Sequence, residues 1–150
     1  MNKHKVYMNI AHEIKHLSHD LETQVGAVML SPEGRIIATS YNGFVRSADD
    51  EALPRIRPDK YQYMQHAERN LIYNCAYEGI RTKGTTIYST LSPCLECVRA
   101  CFQAGVSKII FDELYHKFPN VNHYVDIKDI WIDVEKIDSY TCLELSEVYP

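Results

Sequence analysis

Residues 24–30 of this 150-residue chain run Gln-Val-Gly-Ala-Val-Met-Leu. A short stretch this small, apolar and β-branched suits a strand buried on both faces, which in turn needs a sheet with covering layers. The Ser31-Pro32-Glu33-Gly34 that follows is turn chemistry. Proline pre-sets φ at one corner and glycine permits φ > 0 at another. Residues 35–41, Arg-Ile-Ile-Ala-Thr-Ser-Tyr, return as a second strand and complete a hairpin. Upstream, Val6, Met8, Ile10, Ile14 and Leu17 recur at helical spacing, predicting a helix over 5–18. Downstream, the polar residues 42–61, broken by Pro54 and Pro58, predict a long loop, a length that usually carries function.

The pattern then alternates. Residues 63–77 predict a helix with Ala67, Leu71, Ile72 and Cys75 along one side and Gly79 as its stop. Residues 85–90 predict a strand, Ser92-Pro93 opens a third helix running to Gly105, and 107–111 predict a short strand. Residues 116–123 read as loop, followed by a weaker helix reaching Ile130 and a last strand over 131–137. Successive strand–helix–strand crossovers predict one α/β domain over residues 1–150, with three α/β/α layers around a five-stranded mixed sheet.

Charge and cysteine usage narrow the function. The formal net charge is −4 and the pI about 5.9, without the basic excess that phosphate-backbone binding requires, so no nucleic-acid partner is expected. A small anionic substrate needs only one or two well-placed cations. No apolar run approaches the roughly 20 residues of a membrane-crossing helix, so no membrane partner is expected either. Residues 1–19 are polar and lack the apolar core of a secretory signal, which makes the cytoplasm the expected location. The five cysteines form no regular framework and read as metal ligands, reactive thiols or core residues. Cys75, Cys101 and Cys142 fit the core.

Two short patterns carry chemistry: His66-Ala67-Glu68 and Pro93-Cys94-Leu95-Glu96-Cys97. Cys-x-x-Cys alone is ambiguous between zinc ligation and thiol–disulfide exchange, and a helix start suits both because it favours a thiolate. A catalytic zinc takes three protein ligands and keeps a fourth position for water. His66, Cys94 and Cys97 supply that set, for one Zn2+ per chain. Residues two apart on a helix do not share a face, so Glu68 points away from the ligand direction. That suits a group moving protons to and from a metal-activated water. A dithiol redox protein using Cys94 and Cys97, and a zinc-folded binding module with a fourth ligand, remain the alternatives.

The order His-x-Glu, then Pro-Cys-x-x-Cys, is the signature of zinc nucleobase deaminases. With Gln24-Val25-Gly26-Ala27-Val28, Tyr41-Asn42-Gly43, His66-Ala67-Glu68-Arg69-Asn70 and Ser92-Pro93-Cys94-Leu95-Glu96-Cys97, residues 18–115 resemble the cytidine deaminase superfamily and, within it, its deoxycytidylate (dCMP) branch. The resemblance implies a cytidine deaminase-like fold, bound zinc, a homo-oligomer such as a hexamer, and hydrolytic deamination of dCMP to dUMP and ammonia, supplying thymidylate synthesis. Cytidine, guanine or tRNA adenine are its alternative substrates. It further implies that Glu68 is catalytic, that Asn42 meets the sugar 3′-hydroxyl, and that the Ala67 N–H meets the pyrimidine carbonyl. By the same resemblance the Ser92 backbone accepts the exocyclic amine, and Val25 and Tyr115 pack the base.

The phosphate has no partner by resemblance. Arg46, just past Tyr41-Asn42-Gly43, is the candidate because guanidinium suits phosphate, with Lys117 second. The chain also departs from the family: Ser40 stands where a glycine commonly precedes Tyr-Asn-Gly. In regulated members that segment serves a triphosphate site, so a Mg2+-bound regulatory nucleotide loses its usual support here. His4, His12, His16 and His19 read as a solvated helix side, and Tyr124, Trp131 and Tyr140 as core or subunit contacts.

Overall fold

The computed structural model describes residues 2–117 and 120–146. Helix α1 (Lys3–Ile14) starts where the Asn2 side chain accepts a hydrogen bond from the Lys5 N–H, and it tightens into a 3-10 turn over Lys15–Leu17. The hairpin is β1 (Gly26–Leu30) and β2 (Ile36–Tyr41). Then follow α2 (Ala67–Glu78), β3 (Thr86–Leu91), α3 (Leu95–Gln103), β4 (Lys108–Glu113), the short α4 (Asn122–Val125), β5 (Trp131–Ile137) and β6 (Tyr140–Ser146). Helix α2 stops at Gly79, whose φ of 71° is the left-handed cap glycine adopts without a Cβ penalty.

Among the described residues the sheet has six strands in the order β2-β1-β3-β4-β6-β5, not five. The extra strand is β6, which inserts between β4 and β5 and pairs antiparallel with both. Its signal is a tight turn: Asp138 takes φ 55°, a left-handed conformation that Asp tolerates, and reverses the chain directly from β5 into β6. β3 and β4 are parallel, joined by α3, while β1 runs antiparallel to both its neighbours, so the sheet is mixed as expected. The fourth predicted helix shrinks to four residues. α2 begins at Ala67 rather than 63, because residues 59–62 form a separate 3-10 turn and His66 is extended (φ −72°, ψ 149°).

Side-chain alternation along β1 feeds two cores. Val28 and Leu30 face α1, packing with Met8, Ala11, Tyr88, Ile110 and Cys142. Ala27 and Met29 face α2 and α3, packing with Leu71, Cys75, Val98 and Cys101. The three cysteines expected in the core are buried there. Each fully buried leucine such as Leu71 contributes about 2 kcal/mol. α1 lies so close on β1 that a Cβ at Gly26 would sit 2.0 Å from the Ala11 carbonyl oxygen; only glycine fits. Tyr124 and Tyr140 are core residues, whereas Trp131, on the edge strand β5, is 56% exposed. No helix among the described residues is long and apolar enough to cross a membrane.

The topology gathers one end of the sheet. Gly26 pairs with Tyr41, Ala27 with Ser89, and Leu91 with Glu113. The start of β1 and the carboxyl ends of β2, β3 and β4 therefore lie together, and the N-termini of α2 and α3 open at that end. Ligands of open α/β sheets bind outside such carboxyl ends.

Candidate active site

The His66 and Cys94 backbones are each extended at the N-cap of a helix, α2 and α3 respectively. Cys97 follows in the first turn of α3 and donates its N–H to the Cys94 sulfur at 3.4 Å. This brings His66 Nδ1 within 3.5 Å of Cys94 Sγ and 3.3 Å of Cys97 Sγ. All three ligand atoms lie within 4.8 Å of one another. A tetrahedral zinc with its usual bond lengths sets nitrogen and sulfur about 3.6 Å apart, so the donor set and its spacing fit that ion with a fourth position open. The hydrogen bond between the two sulfurs lowers the Cys94 thiol to about 4, with His66 adding to the effect, and raises Cys97. His66 is in turn held up by its hydrogen bond to Cys94.

Glu68, in the first turn of α2, is 4% exposed. Burial raises its carboxyl above the usual carboxylate range. It lines the same cleft as His66 and Cys94. Ser89 Oγ, from β3, lies 2.8 Å from Glu68 Oε1.

The cleft has a volume of about 330 Å³. Its other wall is built from loops. Asn42 accepts from the Val25 N–H (2.8 Å) and the Ser18 hydroxyl (2.7 Å), and donates to the Thr23 carbonyl (2.8 Å) and to Asp20 (3.4 Å). Asp20 forms an ion pair with Lys60 at 2.8 Å, both side chains 3% exposed. Arg57 closes the mouth. It pairs with Glu22 (3.1 Å) and donates to Tyr61 Oη (2.7 Å), Thr23 Oγ1 (2.9 Å) and Tyr115 Oη (3.3 Å). Ser92 Oγ accepts the Tyr115 N–H at 2.8 Å, fixing Tyr115 over the end of β3.

A family model for the cytidine and deoxycytidylate deaminase zinc-binding region matches residues 1–113. The chain belongs to this family. A probable deoxycytidylate deaminase of Drosophila melanogaster is 37% identical over 105 residues, covering 63% of this chain and 51% of its own length. The deoxycytidylate deaminase of Homo sapiens is 35% identical over 117 residues, covering 73% of this chain and 65% of its own. The chain thus spans between half and two thirds of these relatives. Among solved structures, the apo dCMP deaminase of cyanophage S-TIM5 superposes with a TM-score of 0.65 at 25% identity, over 77% of this chain and 88% of that one. The same phage enzyme in complex with dCMP and dUMP gives 0.63.

For this deaminase-family chain the structure brings together most of the residues expected from sequence. His66, Glu68 and Cys94 line the cleft with Val25, Asn42, Ala67, Ser92, Tyr115 and Lys117, and Cys97 lies buried against His66. It does not bring Arg46 there. The Arg46 guanidinium stacks on Tyr77 at 3.9 Å, in a separate depression beside α2. Tyr77 lies in the last turn of α2, whereas the cleft is lined by the residues at its start, so nearness in sequence to Asn42 is not nearness in space. Asp20, Arg57, Lys60 and Tyr61 were not found from sequence. The available signal was a pair of basic residues around Pro58 in a functional-length loop, with nothing local to say which way they face.

Proposed function

We propose that this chain is a zinc-dependent hydrolase that converts dCMP and water to dUMP and ammonia, supplying thymidylate synthesis. The observation that carries the proposal is one cleft holding a buried carboxyl, Glu68, next to the His66–Cys94–Cys97 group, with cations at its mouth. One zinc per chain on those three residues would supply a water acidic enough to attack the ring carbon bearing the amine. Glu68 would take one proton from the attacking water and deliver it to the adjacent ring nitrogen, then pass the proton of the new hydroxyl to the amine, which leaves as ammonia as the carbonyl forms.

The remaining residues bind and orient. Ala67 opens α2, so its N–H belongs to the first turn, which lacks intrahelical partners, and can meet the pyrimidine carbonyl. The Ser92 backbone accepts from the exocyclic amine, and Val25 and Tyr115 flank the base. Asn42 reaches the sugar hydroxyl by giving up its longest hydrogen bond, the 3.4 Å contact to Asp20. Arg57 takes the phosphate, with Lys117 beside it, because a guanidinium at the cleft mouth can add a charge-assisted contact.

The sheet and its helices act as one deaminase domain. The protein works as a cytoplasmic homo-oligomer, in which the exposed Val45, Tyr73 and Tyr77 offer an apolar face to a second copy. Mg2+ and a regulatory triphosphate form no part of the proposal, because Ser40 is buried and its hydroxyl is committed to the Ala67 carbonyl at 2.5 Å.

The test is ammonia release from dCMP and from deoxycytidine side by side, with zinc quantified in the same sample. Turnover of dCMP far above deoxycytidine, at one zinc per chain, is the expected result. Bound zinc with neither substrate turned over would overturn the substrate assignment. A Cys94–Cys97 disulfide with no zinc bound would establish the dithiol alternative instead.

A further inference from the structure

Ser89 is a polar side chain in the middle of the sheet and is fully buried. It stands on β3 between Ala27 of β1 and Phe111 of β4, among residues that are otherwise apolar on this face. Nothing about sheet packing calls for a hydroxyl there; a buried one is tolerated only when hydrogen-bonded. Its Oγ has two partners, Glu68 Oε1 at 2.8 Å and the Leu91 carbonyl at 2.9 Å.

The two partners differ in what they can do. The Leu91 carbonyl only accepts. A carboxylate only accepts, but a carboxylic acid also donates. A hydroxyl has one proton to give and lone pairs to receive with. Beside an ionised Glu68, Ser89 gives its proton to Oε1. When Glu68 takes a proton on its other oxygen, Oε1 remains an acceptor and the bond from Ser89 stays in place. In both arrangements Oε1 stays tied, and the other carboxyl oxygen is left for the reacting atoms. Neither group of the pair needs to move between the two states.

We propose that Ser89 is a positioning residue for the deamination, holding the Glu68 carboxyl in one place while it takes up and hands on a proton. This rests on the role given to Glu68 above. Valine and threonine have nearly the same shape and differ here by the hydroxyl, so Ser89→Val and Ser89→Thr isolate it from packing. Ser89→Val is expected to lower kcat on dCMP by about tenfold or more relative to Ser89→Thr, the usual size for one hydrogen bond to a charged group. KM and bound zinc should be alike in the two. Equal kcat in both variants, with Glu68→Gln inactive, would overturn the positioning role and leave the role of Glu68 standing.

A second measurement needs no turnover. In crystals of the zinc-loaded protein, the Glu68 carboxyl should occupy one position in the wild type and in Ser89→Thr, and rotate or split in Ser89→Val. An unmoved carboxyl in Ser89→Val would overturn the proposal whatever the substrate is.

Discussion

The two walls of the cleft are built by different means. The metal wall comes from two helix N-termini, and its four chemical groups lie within two short segments, 66–68 and 94–97. Helix geometry alone brings Cys97 back onto Cys94, and one strand crossing sets α2 beside α3. The opposite wall has almost no regular structure. Asp20, Thr23, Asn42, Arg57 and Lys60 come from two connections, the one before β1 and the long one between β2 and α2, and charge ties them together: Lys60 on Asp20 and Glu22, Arg57 on Glu22. On the proposed function, chemistry falls on rigid elements and recognition on loops tied by ion pairs.

This contrast can be broken in stages. The largest effect belongs to the metal wall: Glu68→Gln should keep its zinc and lose about a thousandfold or more in kcat, measured as ammonia release with metal analysis of the same sample. Near-wild-type turnover would remove Glu68 from the reaction. On the loop wall the largest effect should be on stability. Lys60→Met leaves the buried Asp20 charge without its cation and should cost about 3–5 kcal/mol in urea unfolding. Adding Asp20→Asn should recover part of that loss, because the stranded charge goes too.

Arg57→Ala should weaken recognition rather than chemistry. A rise in KM for dCMP of about ten- to a hundredfold, with deoxycytidine hardly affected, is expected from one lost guanidinium–phosphate contact. An equal effect on both substrates would reassign Arg57 to holding Tyr61 and Tyr115 in place. The smallest effect sharpens the boundary of the site: Arg46→Ala should leave KM for dCMP within about twofold, since surface changes away from a site are usually near neutral. A large rise would mean that the Arg46 side chain leaves Tyr77 to reach the substrate.

The metal wall was legible because each of its segments is local. A helix start and a fixed spacing are enough to put His66, Glu68, Cys94 and Cys97 in register, and the two patterns together are specific. Strand β6 was missed for a different reason: its two-residue turn at Asp138-Ser139 is a weak signal, and only the pairing with β4 and β5 gives the segment its place. Arg46 and Arg57 make the sharpest case. Both are arginines in the long segment after β2, and nearness in sequence to Asn42 favours Arg46. Glu22 and Thr23 from one distant part of the chain and Tyr115 from another bind Arg57, together with Tyr61 from its own segment, while Tyr77 of α2 draws Arg46 away.

The sequence by itself determined the layered mixed sheet, the order of the main helices, the zinc-type donor set and the carboxyl beside it, because periodicity, turn residues and short spacings act over a few residues. Only the tertiary structure decided which cations face the cleft, what fixes Asn42, and that a serine on β3 meets Glu68. Those contacts join residues 17 to 58 positions apart, and their free energy depends on a burial that no local pattern encodes.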